Sequence, residues 1–131
     1  MIGLDTNILV RYLAQDDPVQ SRTATDFIER RLTEKNPGFV SIVAMVETVW
    51  VLDRAYELAD AEIAACIERI LQTDVLVVEC EQAVFTAMVA PKNGNGAFAD
   101  AVILALGRRA GCSRTVTFDR KALRLSGFAQ P

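Results

Sequence analysis

Four short β-type runs, at residues 1–4, 39–40, 75–79 and 114–118, alternate with longer segments whose apolar side chains recur at helical spacing. Helices inserted between successive strands leave no room for tight hairpins, so the strands are expected to pair mainly parallel in an α/β fold. The first run ends in Asp5-Thr6-Asn7 and leads into ILVRYL, a strand turning into a helix. Asp17-Pro18 reads as an N-cap with proline at the first helical position, opening a helix to about residue 34 that Lys35-Asn36-Pro37-Gly38 breaks. Ser41 is placed to cap a helix reaching about Ala55, and Asp60 to cap another reaching Leu71. Residues 81–90 read as helix and 91–96 as a loop, while the apolar segment GAFADAVILALG, residues 96–107, reads as a helix that ends at Gly111. Asp119 begins a last helical turn.

With 131 residues, 51% of them hydrophobic, the chain is long enough for one cored domain spanning 1–131. No basic region precedes an apolar run at its start. The longest uncharged stretch, residues 36–46, falls short of the ~20 residues that span a bilayer, so a soluble cytoplasmic protein without membrane contact is expected. Cys66, Cys80 and Cys112 are odd in number and contain no C-x-x-C pair, which argues against a disulfide framework or a zinc knuckle. Histidine is absent, which removes Ser-His-Asp and Cys-His nucleophile systems and imidazole bases together. Catalysis must then use carboxylates, hydroxyls or lysines. The net charge of −3 is unevenly distributed: residues 47–81 carry nine acids against Arg54 and Arg69, whereas residues 108–124 carry six bases against Asp119 alone. The basic run is either a solvated face or a local surface for phosphates.

Four acids stand at comparable places: Asp5 after the first strand, Glu47 in the helix after the second, Asp100 early in FADAVILALG and Asp119 after the last strand. In a parallel α/β sheet, strand ends and the starts of following helices gather along one edge, where ligands bind at a topological switch point. Each acid also has a purely structural explanation: Asp5 and Asp119 as helix caps, Asp100 as a first-turn acid favoured by the helix dipole. Glu47 is harder to dismiss, because its helical neighbours Val43, Ala44, Trp50 and Val51 are core candidates and Arg54 is the only base nearby on that face. Asp100 repeats the pattern among Gly96, Ala97, Ile103 and Leu104. Burying an unpaired carboxylate costs several kcal/mol, so two such acids imply protonation, a basic partner or a metal ion. A divalent cation best relieves repulsion among several carboxylates. With oxygen ligands alone, Mg²⁺ or Mn²⁺ suits them better than Zn²⁺.

The chain resembles the PIN-domain proteins, and among them the VapC ribonuclease toxins of bacterial toxin–antitoxin pairs. The resemblance is carried by MIGLDTN at the start, VETVWVL at 46–52, FADAVILA at 98–105 and TVTFDRKA at 115–122, and it spans nearly the whole chain. It implies a PIN-like three-layer α/β/α sandwich around a central, mainly parallel sheet. Asp5, Glu47, Asp100 and Asp119 fall on the family's acidic quartet, and Thr117 on its supporting hydroxyl position. Some members carry a further acid where this chain has Ala97, which bears on the number of metal ions bound. The implied activity is Mg²⁺-dependent endoribonuclease cleavage of structured RNA, leaving 5′-phosphate and 3′-hydroxyl ends, with a VapB-like antitoxin as inhibitor and a homodimer as assembly. Two-metal sites of this kind hold their ions ~3.5–4 Å apart. Asp5, Asp100 and Glu47 are then direct ligands, Asp119 acts through water, and Thr6, Asn7 and Thr117 orient the carboxylates.

Two other readings remain: a non-catalytic PIN-fold binding module, and a PIN-type nuclease acting on another nucleic acid. A binding module needs no set of four convergent acids, and the short chain lacks the extra segments with which flap-type nucleases thread DNA. Trp50 fits either a dimer or antitoxin groove or the core.

Overall fold

The computed structural model describes residues 1–89 and 98–131. The loop expected at 91–96 and the position of Ala97 lie outside the described residues. The chain divides into two compact units, Met1–Cys80 and Glu81–Pro131.

The first unit follows the expected alternation. Strand β1 (Ile2–Gly3) leads through Asp5 into α1 (Thr6–Ala14). Helix α2 (Pro18–Asp26) starts where Asp17 accepts from Val19 N at 3.1 Å and Gln20 N at 2.9 Å, with Pro18 in the first turn. A π-helical turn, Phe27–Arg31, extends α2, and Leu32 N closes it on Phe27 O at 3.1 Å. The helical path thus ends at Arg31, short of the expected residue 34, because the widened turn releases Leu32 into an extended conformation that tucks its side chain into the core.

Strand β2 (Gly38–Val40) runs into α3 (Ile42–Arg54), whose N-cap Ser41 Oγ accepts from Ala44 N at 3.0 Å. Helix α4 (Asp60–Gln72) is entered at Ala59 rather than Asp60. The Glu62 carboxylate accepts from Ala59 N at 3.2 Å, which places Asp60 in the first turn, where its charge suits the helix dipole. Strand β3 (Leu76–Val78) completes a three-stranded sheet in the order β1-β2-β3.

Both strand pairs are parallel, as the intervening helices require, with Ile2 opposite Gly38 and Gly38 opposite Leu76. Gly38 is held tightly there. A Cβ at this position would lie 2.8 Å from Leu32, 2.9 Å from Leu76 and 3.0 Å from Leu4, so only glycine admits the three leucines over the sheet. Leu9, Ile28, Val40, Met45, Leu52 and Ile70 are fully buried around them, and α1 packs on both α2 and α3.

In the second unit, α5 (Glu81–Val89) packs on α6 (Phe98–Arg109) through Ala83, Val84, Ala87, Phe98, Ala101, Val102 and Leu104, all buried. Helix α6 ends as its sequence suggests. Gly111 takes φ +94°, Gly111 N donates to Arg108 O at 3.0 Å and Cys112 N to Gly107 O at 2.9 Å, a Schellman closure that favours glycine at that position. The strand expected over 114–118 shrinks to β4 (Thr115–Val116), which pairs in parallel with β5 (Phe128–Ala129). Only a short 3₁₀ turn, Ala122–Arg124, lies between them. Two-residue strands leave no alternation to read, which is why β5 carries no sequence signal.

Every described strand pair is parallel and helices connect the strands of the larger sheet, so the α/β class holds. Among the described residues, no helix is long and apolar enough to cross a membrane.

Candidate active site

Because β1 and β2 are neighbouring parallel strands, the residues just past each emerge along one edge of the sheet. Asp5 is the N-cap of α1. Its backbone is extended (φ −80°, ψ 159°) and its Oδ1 accepts from Thr6 N at 2.8 Å. That bond uses one carboxylate oxygen; Oδ2 has no hydrogen-bond partner among the described residues. The capping role and a ligand role are therefore compatible on the same side chain. Thr6 supports Asp5 through its backbone N–H, and neither the Thr6 hydroxyl nor the Asn7 amide hydrogen-bonds the carboxylate.

Glu47 lies on α3 at the same cleft. A cavity of about 350 Å³ is lined on one side by Asp5, Thr6, Asn7, Val10 and Arg11, and on the other by Glu47, Val51, Ala55 and Tyr56. The expectation of a buried Glu47 is overturned: the side chain is exposed, as are Val43 (71%) and Trp50 (59%). Helix α3 is apolar almost all round, so helical spacing alone does not reveal which stripe turns inward. The buried stripe is Ala44, Met45, Thr48, Val49 and Leu52. Glu47 is therefore not a buried unpaired acid, and Trp50 is not a core residue. What Glu47 retains is a carboxylate without an ion pair among the described residues, opening onto the cleft that Asp5 also lines.

A network that sequence inspection missed closes the cleft away from Asp5. Arg11 Nε donates to Gln20 Oε1 at 2.8 Å, and Arg11 Nη1 donates to Asp16 at 3.1 Å and to the Tyr56 hydroxyl at 3.2 Å. Tyr56 in turn donates to Asp16 Oδ2 at 2.7 Å. Tyr56 stands forty residues from Asp16, a separation at which no local periodicity can announce a contact.

In the second unit, Asp100 occupies the first turn of α6, beside the buried Phe98 and Ala101, and is itself half-buried. Burial pushes its carboxyl above the usual carboxylate range, and the charge of Asp119 pushes in the same direction. Asp100 thus meets the expectation of a partly desolvated acid, and its electrostatic neighbour is another acid. Asp119 is exposed and locally braced: its backbone N donates to Thr117 Oγ1 at 3.0 Å, and its Oδ1 accepts from Lys121 N at 2.8 Å. Thr117 therefore supports Asp119 through the backbone, which fixes where that carboxylate sits. Of the basic run, Arg108 is bound to Ser126 O, while Arg109, Arg114, Arg120, Lys121 and Arg124 are exposed and form no ion pair among the described residues.

The acids stand as two pairs, Asp5 with Glu47 on the cleft of the first unit and Asp100 with Asp119 in the second. Among the described residues, no three His, Cys, Asp or Glu side chains are grouped into a metal cage. The donor set of each pair is carboxylate oxygen only, with Asp5 Oδ2 unpartnered and Asp100 repelled by its neighbour, which fits a hard divalent cation.

A family model described as PIN domain matches residues 2–127 of the chain. No match is found among curated proteins. Among solved structures, the chain is similar to the crystal structure of VapC20 from Mycobacterium tuberculosis, described as a sarcin–ricin loop cleaving toxin. The two are 20% identical, with 100% of each chain covered and a TM-score of 0.47.

Proposed function

The chain belongs to the PIN-domain family, and from that premise we propose that it is a divalent-metal-dependent endoribonuclease, the toxin of a VapBC-type pair acting in the cytoplasm. The observation that carries the reading is the pair Asp5 and Glu47, two carboxylates from different helices opening onto one cleft. Asp100 and Asp119 complete the proposed quartet, and their mutual repulsion is what a bound cation would relieve.

Mg²⁺, or Mn²⁺ in its place, would polarise the phosphoryl oxygen and lower the pKa of an attacking water. Asp5, Glu47 and Asp100 would hold the ion directly and Asp119 through water. Thr6 and Thr117 fix the carboxylates by the backbone bonds described above. In the hydrolysis, water adds to phosphorus and the bond to the 3′-oxygen breaks, leaving a 5′-phosphate and a 3′-hydroxyl. The exposed bases from Arg109 to Arg124 would supply the sequence-independent grip on RNA phosphates.

The proposed inhibitor is a VapB-like antitoxin that presents Arg or Lys to the acids and covers apolar surface on α3, where Val43 and Trp50 stand exposed around Glu47. A homodimer is the proposed assembly. The deciding experiment incubates the purified chain with total tRNA, ribosomal RNA and single-stranded DNA, with and without Mg²⁺, beside Asp5→Asn. Mg²⁺-dependent RNA cleavage that Asp5→Asn abolishes supports the reading. Intact RNA under all conditions, or cleavage of DNA alone, overturns it.

A further inference from the structure

The cleft that holds Asp5 and Glu47 continues well past them. Val51 and Ala55 follow Glu47 at successive helical turns of α3, so that wall runs roughly 12 Å along the helix axis, and Arg11 stands roughly 9 Å along α1 from Asp5. A phosphate held at Arg11 is therefore a neighbour of the one at the acids. Among the described residues that line the cavity, Arg11 is the only cation and Tyr56 the only aromatic one.

The Arg11 side chain is fixed in advance. Gln20 holds Nε, and Asp16 and Tyr56 hold Nη1, which leaves Nη2 without a hydrogen-bond partner among the described residues. A guanidinium already ordered loses little freedom on meeting an anion, and its remaining edge suits the oxygens of a phosphodiester. Beside it, Tyr56, Val51 and Ala55 offer an apolar and aromatic wall of the kind against which a nucleobase stacks. The cavity, about 350 Å³ in all, is of small-molecule size.

We propose that this part of the cleft is a subsite for one nucleotide flanking the cleaved bond, with Arg11 holding its phosphate and Tyr56 walling its base. The proposal rests on the nuclease reading for the identity of the strand, and on the cavity alone for its chemistry. Asp16 is then a positioning residue: it holds the Arg11 fork and touches no substrate. If Arg11 were only a staple between helices, loss of its charge would change stability and leave nucleotide affinity alone.

The test titrates the whole chain, in Mg²⁺ buffer, with adenosine and uridine 5′-monophosphates and separately with inorganic phosphate, following the Arg11 Nε–H and the amides of residues 5–7, 11, 47 and 55–56 by NMR. Saturable shifts at Arg11 and Tyr56 are expected with the nucleotides, with weaker binding of phosphate alone. Arg11→Gln should weaken nucleotide binding by about tenfold or more, as expected for losing a charge-assisted hydrogen bond, while Arg11→Lys retains part of it and the exposed control Arg30→Gln retains all. Should Arg11→Gln fold poorly, the wild-type shifts and Tyr56→Leu, expected to lose base binding but not phosphate binding, still decide. Nucleotides that leave Arg11 and Tyr56 unshifted, phosphate binding as tightly as nucleotide, or equal affinity in a folded Arg11→Gln would each overturn the proposal. RNA cleavage measured in parallel separates it from the function on which it rests. A folded Arg11→Gln that binds nucleotides and cuts RNA like the parent, while Asp5→Asn cannot cut, ends the subsite alone; nucleotide binding at Arg11 with no RNA cut ends the nuclease alone.

Discussion

The Tyr56 hydroxyl donates to Asp16 Oδ2 at 2.7 Å, joining the residue just past α3 to the turn between α1 and α2. This bond, followed by Arg11, holds the Asp16 carboxyl below its ordinary range against an opposing effect of desolvation. The same bond, together with desolvation, raises the Tyr56 phenol. A depressed acid contributes stability that is complete above its unfolded value, about 3.9, and lost as pH falls through the folded value. A raised phenol contributes stability that is complete below about 10 and lost as pH rises through its folded value. Tyr56→Phe should therefore melt a few degrees below the parent at neutral pH, with the gap closing at both acid and strongly alkaline pH. Thermal melts across the pH range check this, and a gap independent of pH would refute the linkage.

Glu47→Gln should leave stability unchanged within about 0.5 kcal/mol, as for a surface residue without partners, because Glu47 is exposed and lacks an ion pair among the described residues. RNA cleavage should nevertheless fall by more than the ~100-fold that losing a residue behind a metal ligand can cost, because Glu47 is proposed to hold the ion directly. Asp5→Asn should behave alike, since asparagine also caps helices well. Parallel melts and cleavage rates separate the two effects; a folded Glu47→Gln with parental cleavage would remove Glu47 from the site.

Asp100 supplies a test in the absence of metal. Its carboxyl is raised by burial and by Asp119, so the ionised form is disfavoured in the fold. The group favours folding most below its unfolded value, about 3.9, and that benefit is lost as pH rises through the folded value. In EDTA at pH 7, Asp100→Asn should melt above the parent, and the advantage should vanish toward pH 4. Adding Mg²⁺ should reverse the order, since an ion at a hundred times its Kd stabilises the parent by about 2.7 kcal/mol. An order that Mg²⁺ does not change would count against Asp100 as a ligand.

Arg109 and Arg120 are exposed and, among the described residues, form no ion pair. If they neutralise RNA phosphates, the Arg109→Gln/Arg120→Gln double variant should bind RNA more weakly and reduce the slope of log K against log salt by about 1.4 to 1.8. Melting temperature and Mg²⁺ affinity should not change. Filter binding over a salt series gives the slope, and an unaltered slope would identify the basic run as a solvated face.

Much of the local architecture was legible from the chain because its signals are short in range. Asp17-Pro18, Ser41 and Gly111 act within a few residues, and each marks a helix end as it reads. Parallel pairing in the larger sheet followed from the helices between its strands, and Asp5 and Asp119 were readable as acids just past strands, Glu47 and Asp100 as acids within apolar helices. What range hides, the tertiary structure decided. Which stripe of the apolar α3 faces inward depends on the surfaces it meets, so Glu47 and Trp50 turned out exposed. That Asp119 bears on Asp100, and that Tyr56 finds Asp16 and Arg11, depends on where distant segments are brought by packing. Periodicity and capping are properties of neighbours along the chain. Electrostatic coupling and cleft formation are properties of neighbours in space, and those exist only once the core has closed.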